Sequence, residues 1–486
     1  MPPFSRQLPL VLSIALAAGA CRERVPKPSI ELTSCRLEGF PGSARCGVHE
    51  VYEDRKAGQG RRLSLDVAVI PAHARKARAE PLFVLVGGPG QAATRAGPAL
   101  AAALAEVSRE RDLVLVDQRG TGGSHALDCT PADYDPDEIR FDDLLPEDEM
   151  AACRERLEAD LRLYTTPVAV EDLDEVRAAL GYEKLSLWGG SYGTRLALEY
   201  LRRKPDRVRS VVLDGVVPTT MRLPLSFGRD GQRALDLLLT ACEADEACRA
   251  SYPALGARLD RLLERLEAEP AQARLAHPRS GRPLELTVRR QDFVLGLQKL
   301  LYAPALSSLL PATIDRAAEG DFAPFIAQLS ALSSNRSGRV AVGLLVSVTC
   351  TEDVAFFDEQ EAAREATGAF LGDGYAKAFL RACKSWPRGE LPGDFHTPVA
   401  SEAPVLILSG ALDPVTPPSW GERVAQTLPN ARHIVVPGAG HGASGVGCVP
   451  HLIAEFLSGG PADLDAGCAE RHARPPFFLD FAGPQP

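Results

Sequence analysis

The sequence contains few residues of the kinds that bind metal ions or nucleotides. Its 486 residues include only nine histidines. It has no CxxC pair, no HExxH motif and no GxxxxGK[ST] loop, which are the common signatures of zinc and nucleotide sites. We therefore expect no metal ion and no organic cofactor.

Positively charged residues are also fewer than negatively charged ones. Lys and Arg total 54 against 64 Asp and Glu, so the formal net charge is −10. Nucleic-acid binding needs clustered cations that neutralise phosphates, and we expect no such partner. Hydrophobic residues make up 45% of the chain and charged residues 24%, which is the composition of an ordinary globular protein. The length indicates two or three domains.

The N-terminal segment has the pattern of a signal peptide. Arg6 is followed by an apolar run over residues 8–16 and by small residues before Cys21. The run is shorter than the roughly 20 residues that span a bilayer. Its end resembles the bacterial lipoprotein signal, in which the cysteine is acylated, although Ala18 stands where Leu is usual. We predict a signal peptide over 1–21, lipidation at Cys21 and a linker over 22–29.

This interpretation places the protein in the bacterial cell envelope, on the periplasmic side and held to the membrane by the lipid alone. Ordinary secretion after cleavage at the small residues is the alternative. The oligomeric state is not predicted.

The other ten cysteines follow one another in close pairs along the chain. An exported protein retains disulfides that the cytosol would reduce. We therefore predict five local disulfides, with buried free thiols for some of the ten as the alternative. The predicted pairs are Cys35 with Cys46, Cys129 with Cys153, Cys242 with Cys248, Cys350 with Cys383, and Cys448 with Cys468.

Short apolar runs alternate with helical patterns along much of the chain. Such runs are typical of strands in a parallel sheet that is covered on both faces, and the alternation indicates an α/β layered domain. The segment 219–400 is instead rich in Leu, Ala, Arg and Glu at helical spacing. We predict one core in two parts, 30–218 and 401–486, with a helical cap over 219–400. The predicted strands are 62–70, 82–86, 113–116, 185–188, 208–213, 405–408 and 433–436.

A GxSxG motif over residues 189–193 is the strongest local signal. It follows a predicted strand and precedes a predicted helix, which is the context that exposes a serine hydroxyl on a sharp turn. Ser191 is therefore the predicted nucleophile, with a plain glycine-rich turn as the alternative. A serine at its ordinary pKa needs a base, and the base needs a group that orients it.

An acid and a base follow in the chain order expected for this arrangement. Asp413 comes just after the run 405–408, and His441 comes after the next run. Asp214, which follows the run 208–213, is the rival acid. His433 begins a strand, at the wrong end of the sheet for this chemistry.

Backbone amides can supply the remaining part of the site. The glycine-rich turn Gly87-Gly-Pro-Gly90 follows a predicted strand, and bare backbone can approach a developing oxyanion closely. We predict the N–H groups of Gly88 and Tyr192 as donors. A structural turn is the alternative, and a dinucleotide loop is excluded because this turn does not have the GxGxxG pattern.

Taken together, the motifs resemble the branch of the α/β-hydrolases that contains proline iminopeptidases and tripeptidyl aminopeptidases. The resemblance covers most of the chain outside residues 1–45 and the middle of the insertion. Val86 departs from the branch, which often has His before the two glycines. The motifs are Gly87-Gly-Pro-Gly90, Asp117-Gln-Arg-Gly-Thr-Gly-Gly-Ser124, Gly189-Gly-Ser-Tyr-Gly193, Leu412-Asp-Pro-Val-Thr-Pro417 and Gly438-Ala-Gly-His441.

The resemblance implies an α/β-hydrolase fold with an inserted helical cap and an exported serine aminopeptidase that cleaves small peptides through an acyl-enzyme. In that branch, acidic cap residues bind the substrate's α-ammonium, and Glu352 and Asp353 are the candidates here. A helix-terminal acidic pair is the alternative for them. Asp117 and Arg119 are expected to be structural. A carboxylesterase with the same triad and, more remotely, a non-catalytic binding lipoprotein are the alternative functions.

Overall fold

The computed structural model describes residues 29–74, 78, 80–130, 139, 141, 143–333, 339–461 and 464–482. The predicted signal peptide, Cys21 and the linker up to residue 28 lie outside the described residues. Within the part of the chain that is described, no helix is long and apolar enough to cross a membrane.

In the part of the chain that the structure describes, nine strands form one sheet in the order β1-β2-β3-β5-β4-β6-β7-β10-β11. The pairs from β5 to β11 are parallel, and the three pairs from β1 to β5 are antiparallel. The remaining strands, β8 and β9, form a separate antiparallel hairpin. The strands are β1 (Thr33–Cys35), β2 (Ala44–Tyr52), β3 (Arg62–Ile70), β4 (Leu82–Leu85), β5 (Leu113–Val116), β6 (Leu185–Gly190), β7 (Val208–Asp214), β8 (Ala271–Ala276), β9 (Pro283–Val288), β10 (Val405–Gly410) and β11 (Ala431–Val436).

Helices cover both faces of the sheet, as the continuous apolar strands predict. Along β10, Val405 and Ile407 belong to one hydrophobic cluster, and Leu406 and Leu408 belong to another on the opposite face. Alternate side chains of a strand point to opposite faces, so both faces of β10 are buried. The helices of the first part of the core are α1 (Ala93–Ala103), α2 (Val107–Glu110), α3 (Glu147–Arg156), α4 (Thr166–Ala179) and α5 (Tyr192–Arg203).

Within the predicted insertion, the described residues form ten α-helices and the β8–β9 hairpin. Helices α6 to α12 and the hairpin share their own hydrophobic cluster, whereas α13 to α15 pack mainly into the cluster on one face of the sheet. The helices are α6 (Phe227–Ala244), α7 (Glu246–Ser251), α8 (Leu255–Ala268), α9 (Arg290–Leu301), α10 (Pro304–Ser307), α11 (Leu310–Ala318), α12 (Ala323–Ser333), α13 (Val342–Glu352), α14 (Glu359–Glu365) and α15 (Gly374–Ala382). The boundaries at 219 and 400 stay a prediction.

The second part of the core returns to the sheet and ends the fold. Strands β10 and β11 extend its parallel half. The accompanying helices are α16 (Pro418–Ala425), α17 (Val449–Gly459) and α18 (Gly467–Glu470).

Five disulfides are present, and they join the five predicted pairs of cysteines. Cys35–Cys46 links β1 to β2, and Cys350–Cys383 links α13 to the end of α15. Each bridge therefore joins elements that lie close together in the sequence.

Candidate active site

Ser191 lies on the turn between β6 and α5 in a backbone conformation that is rare for a side-chain-bearing residue. Its φ is 54° and its ψ is −124°. The flanking glycines permit the turn, because a Cβ at Gly189 would lie 2.4 Å from the Gly193 carbonyl oxygen and one at Gly193 would lie 2.0 Å from that of Leu85. The Ser191 amide donates to the Asp214 carbonyl oxygen at 2.9 Å.

Asp413 and His441 meet at the carboxyl edge of the sheet, after the neighbouring strands β10 and β11. His441 Nδ1 lies 2.8 Å from Asp413 Oδ2. The other carboxylate oxygen, Oδ1, accepts hydrogen bonds from the Val415 and Thr416 amides at 2.9 and 2.8 Å. The carboxylate therefore has a fixed orientation toward the imidazole.

Thr416 is a third partner in this contact, and the sequence analysis did not identify it. Its hydroxyl donates to Asp413 Oδ2 at 2.6 Å and lies 3.1 Å from His441 Nδ1. The Leu412-Asp-Pro-Val-Thr-Pro417 motif held the signal, since a threonine three residues after an aspartate can close a loop on that carboxylate.

Charge and burial act in opposite directions on this pair. Burial favours the neutral form of each group, but the mutual attraction and hydrogen bond raise the pKa of His441 and lower the pKa of Asp413. The imidazolium form is therefore stabilised beside an ionised Asp413.

Asp214, the rival acid, contacts the chain beyond His441 instead of the imidazole nitrogen that Asp413 holds. Its carboxylate accepts from the Ala443 amide at 2.8 Å and from the Ser444 amide at 2.8 Å. Asp214 thus anchors the loop that carries His441. His433 lies beside Ser409, with its Nε2 2.9 Å from the serine Oγ, and does not line the cavity that contains Ser191.

Ser191 and His441 line one cavity of about 490 Å³, between the sheet edge and the inserted helices. This volume is in the range of small-molecule sites, about 300–1,000 Å³. Gly88 and Tyr192 line it as well. The other lining residues are Val86, Gly87, Gln91, Ala96, Leu100, Trp188, Gly190, Asp214, Val217, Leu223, Pro224, Phe227, Tyr302, Val340, Leu345, Thr349, Tyr375, Phe379, Val415, Thr416 and Gly442.

The two residues predicted as oxyanion donors line the same cavity as Ser191. Gly88 has a φ of 109°, and a Cβ there would lie 2.7 Å from the Gly90 nitrogen. Gly87 is so close to the nucleophile turn that its Cβ would lie 3.0 Å from that of Ser191. Tyr192 is the first residue of α5, and the first N–H groups of a helix have no partner within it.

Glu352 and Asp353 do not line this cavity, which differs from the predicted amine-binding role. Both are fully buried and paired with Arg195 of α5, which reaches Asp353 Oδ2 at 2.9 Å and Glu352 Oε2 at 3.4 Å. Glu352 also accepts from the Thr166 amide and hydroxyl at 2.6 and 2.8 Å. Burial raises the pKa of Glu352 to about 7, against the opposing effect of Arg195. The sequence shows the two neighbouring acidic residues but does not show that Arg195 pairs with them.

Asp117 and Arg119 hold loops beside the sheet. Asp117 accepts from the Thr94 amide and hydroxyl at 2.8 and 2.9 Å. Arg119 is fully buried and donates to Asp172 Oδ1 at 2.8 Å through Nη2. Neither lines the cavity.

Comparison with known proteins matches two parts of the chain to family descriptions. Residues 80–239 match the family described as "alpha/beta hydrolase fold", and residues 368–468 match "TAP-like protein". The first segment contains Gly88 and Ser191, and the second contains Asp413 and His441. The gap between the two segments falls within the predicted insertion.

Two curated relatives match along nearly their whole length. "Serine protease Hip1" of Mycobacterium tuberculosis (strain ATCC 25618 / H37Rv) is 28% identical over 500 residues, which cover 93% of this chain and 94% of that protein. "Tripeptidyl aminopeptidase" of Streptomyces coelicolor is 25% identical over 498 residues, which cover 95% of this chain and 90% of that protein. "Proline iminopeptidase" of Xylella fastidiosa is 34% identical over 97 residues, which cover 20% of this chain and 30% of that protein.

Proposed function

We propose that this chain, which belongs to the tripeptidyl aminopeptidase-like branch of the α/β-hydrolases, is an exported serine aminopeptidase of prolyl or tripeptidyl type. The observation that carries the proposal is the 2.8 Å contact between buried Asp413 and His441, which lines the same cavity as Ser191 on its turn. The two full-length relatives, a serine protease and a tripeptidyl aminopeptidase, support a peptide substrate.

In the proposed mechanism, Ser191 Oγ attacks the scissile carbonyl while His441 takes its proton. Asp413 holds the imidazole at Nδ1 and stabilises the imidazolium. The Gly88 and Tyr192 amides stabilise the oxyanion, an effect that is typically about 10²–10³ in rate for a single donor. His441 then protonates the leaving amine, and water releases the peptide acyl group by the same steps with the roles reversed.

A hydrolysis panel on the mature protein tests the peptidase type. It compares Pro-, Ala- and Ala-Ala-Pro-arylamides with their N-acetylated forms and with short acyl esters. We expect cleavage of the free-amine arylamides and its loss on acetylation. Cleavage of esters alone would favour the carboxylesterase, which uses the same triad, and would overturn the aminopeptidase proposal.

The cellular location is part of the proposal. The signal pattern before Cys21 and the five disulfides support export, and Cys21 would carry the lipid. Intact-mass analysis of protein from the membrane fraction should show an N-terminal Cys21 with acyl adducts. Cys21→Ser should release the protein from that fraction, and an unmodified wild-type N-terminus would refute lipidation.

A further inference from the structure

The polar side chains that the core contributes to the cavity already have partners. Gln91 Oε1 accepts from the Gly87 amide at 3.1 Å, and the Tyr192 hydroxyl lies 2.7 Å from Thr166 Oγ1. Thr416 donates to Asp413, and both oxygens of Asp214 accept from the loop after His441. These side chains therefore use their polar atoms in hydrogen bonds within the site.

The inserted helices contribute hydroxyls that have no such partner. Thr349 Oγ1, on α13, is buried and has no hydrogen-bond partner in the described part of the chain. The hydroxyls of Tyr302, just after α9, and Tyr375, on α15, also have none among the described residues. All three residues line the cavity, so three separate elements present unpaired hydroxyls to one space.

Unpaired hydroxyls in such a place need an explanation. Thr349 is buried, and a buried polar group without a partner costs on the order of 1–3 kcal/mol. Tyr302 and Tyr375 are only half-buried, so this cost does not apply to them in full. Phenylalanine or valine at these positions would line the cavity without leaving a hydroxyl unpaired. Phe227 and Phe379 already pack beside Tyr375 in this way, with ring centroids 5.5 and 5.9 Å away. The hydroxyls therefore indicate a ligand with hydrogen-bonding groups and apolar side chains.

Among the described residues that line the cavity, none offers a free carboxylate to neutralise a substrate ammonium. Glu352 and Asp353 lie outside it and are paired with Arg195, and Asp214 is occupied by backbone amides. Neutral hydroxyl oxygens accept hydrogen bonds from an amine, and aromatic faces attract a cation. Burial, and next the neighbouring Tyr375, raises the pKa of Tyr302 well above its ordinary value, so this phenol stays neutral.

We propose that the hydroxyls of Thr349, Tyr302 and Tyr375 hold the amine and backbone groups of the substrate's apolar N-terminal residues. The inference rests on the proposed aminopeptidase function and deepens it. Recognition of the free N-terminus is then a property of cap hydroxyls and aromatic faces, and not of the Glu352–Asp353 pair. The backbone carbonyl of Tyr302 also accepts a hydrogen bond from the His441 amide at 2.9 Å. Tyr302 therefore connects the proposed substrate-binding hydroxyls to the proposed base.

The test compares Tyr302→Phe, Tyr375→Phe and Thr349→Val on two substrates, Ala-Ala-Pro-arylamide and a short acetyl ester. The ester needs the nucleophile and base but presents no N-terminal residues. For each variant we expect kcat/KM on the arylamide to fall by about tenfold, the value of one hydrogen bond, mainly through KM. The loss on the arylamide should exceed the loss on the ester by at least fivefold.

Tyr182→Phe is the matched control, because Tyr182 is a half-buried tyrosine outside the cavity whose hydroxyl donates to Asp112 at 2.7 Å. It should leave both activities near wild type. Equal losses on the two substrates, or no loss, would overturn the hydroxyl assignment while the wild-type activity stands. A wild-type enzyme that cleaves no free-amine arylamide would refute the proposed function itself and this inference with it.

Discussion

The two aspartates near His441 act on it in different ways. Asp413 contacts the imidazole nitrogen directly, whereas Asp214 contacts the backbone of the loop beyond it. Asp214 also receives the Ser191 amide through its carbonyl oxygen at 2.9 Å. A single buried residue thus ties the nucleophile turn to the histidine loop.

Asp413→Asn should lower kcat/KM on arylamides by on the order of 10⁴-fold, because the histidine loses its ionised partner and the correct tautomer. The measurement is steady-state kinetics on protein whose circular dichroism matches wild type. A loss below tenfold in the folded variant would remove Asp413 from the triad.

Asp214→Asn should shift the pH profile and reduce the rate only moderately. The titratable groups facing His441 are Asp413, Asp214 and Tyr302. Burial opposes the charged imidazole, and both aspartates raise the pKa of His441. Losing one negative charge therefore lowers that pKa. In the proposed mechanism neutral His441 takes the Ser191 proton, so the acid limb of kcat/KM should move to lower pH.

The comparison variant is Asp117→Asn, which changes another buried aspartate that holds backbone and lies outside the cavity. Its acid limb should coincide with that of wild type. An unchanged or upward-shifted limb in Asp214→Asn would contradict the electrostatic role.

Candidate site residues were predictable from the sequence where a local motif encodes them. Ser191 stands in a glycine-bounded turn, and Asp413 and His441 each follow an apolar strand. The partners of Glu352 and the free hydroxyl of Tyr302 depend on contacts between distant segments. No local pattern encodes such contacts, so they were not predictable from the sequence.

At the scale of elements, helix α5 is held to α13 by a buried ion pair. Arg195 donates to Asp353 at 2.9 and 3.0 Å, and all three charged groups of this cluster, Glu352 included, are fully buried. Removing Arg195 leaves the buried carboxyl groups of Glu352 and Asp353 without a positively charged partner. Helix α5 begins beside Ser191 and α13 carries Thr349, so the pair joins the nucleophile to the cap.

Arg195→Met should therefore lower the free energy of unfolding by about 3–5 kcal/mol. Denaturant unfolding with intact disulfides measures the change. Arg316→Met is the control, because Arg316 pairs with Asp321 at the surface and should matter little. Equal stability changes in the two variants would show that the buried pair does not hold the helices together.

Elements were predictable to the degree that burial shapes their sequence. The parallel strands β4 to β7 and β10 are buried and nearly continuous apolar runs, and all were predicted. The edge strand β11 is only partly buried, and its run 433–436 was predicted. Strand β1 at the other edge, its neighbour β2 and the hairpin strands β8 and β9 expose many of their residues. Because these strands mix polar and apolar residues, their sequence pattern did not predict them. The local sequence pattern also did not predict that α13 to α15 pack into the hydrophobic cluster on one face of the sheet.

At the scale of the whole molecule, five local bridges should leave no free thiol in the mature protein, because the eleventh cysteine, Cys21, is blocked by the proposed lipid. Intact mass after alkylation should show no modified cysteine without reduction and ten after it. Alkylation of several cysteines in the unreduced protein would contradict the five-bridge arrangement.

The central claim is that the molecule uses Ser191, activated by His441 and Asp413, as its nucleophile. The most direct measurement is reaction with a fluorophosphonate, followed by peptide mapping and by residual arylamide activity. We expect one adduct per chain, on Ser191, with activity lost in proportion and no labelling in Ser191→Ala. An adduct on another residue, or turnover by the folded Ser191→Ala protein, would contradict the account.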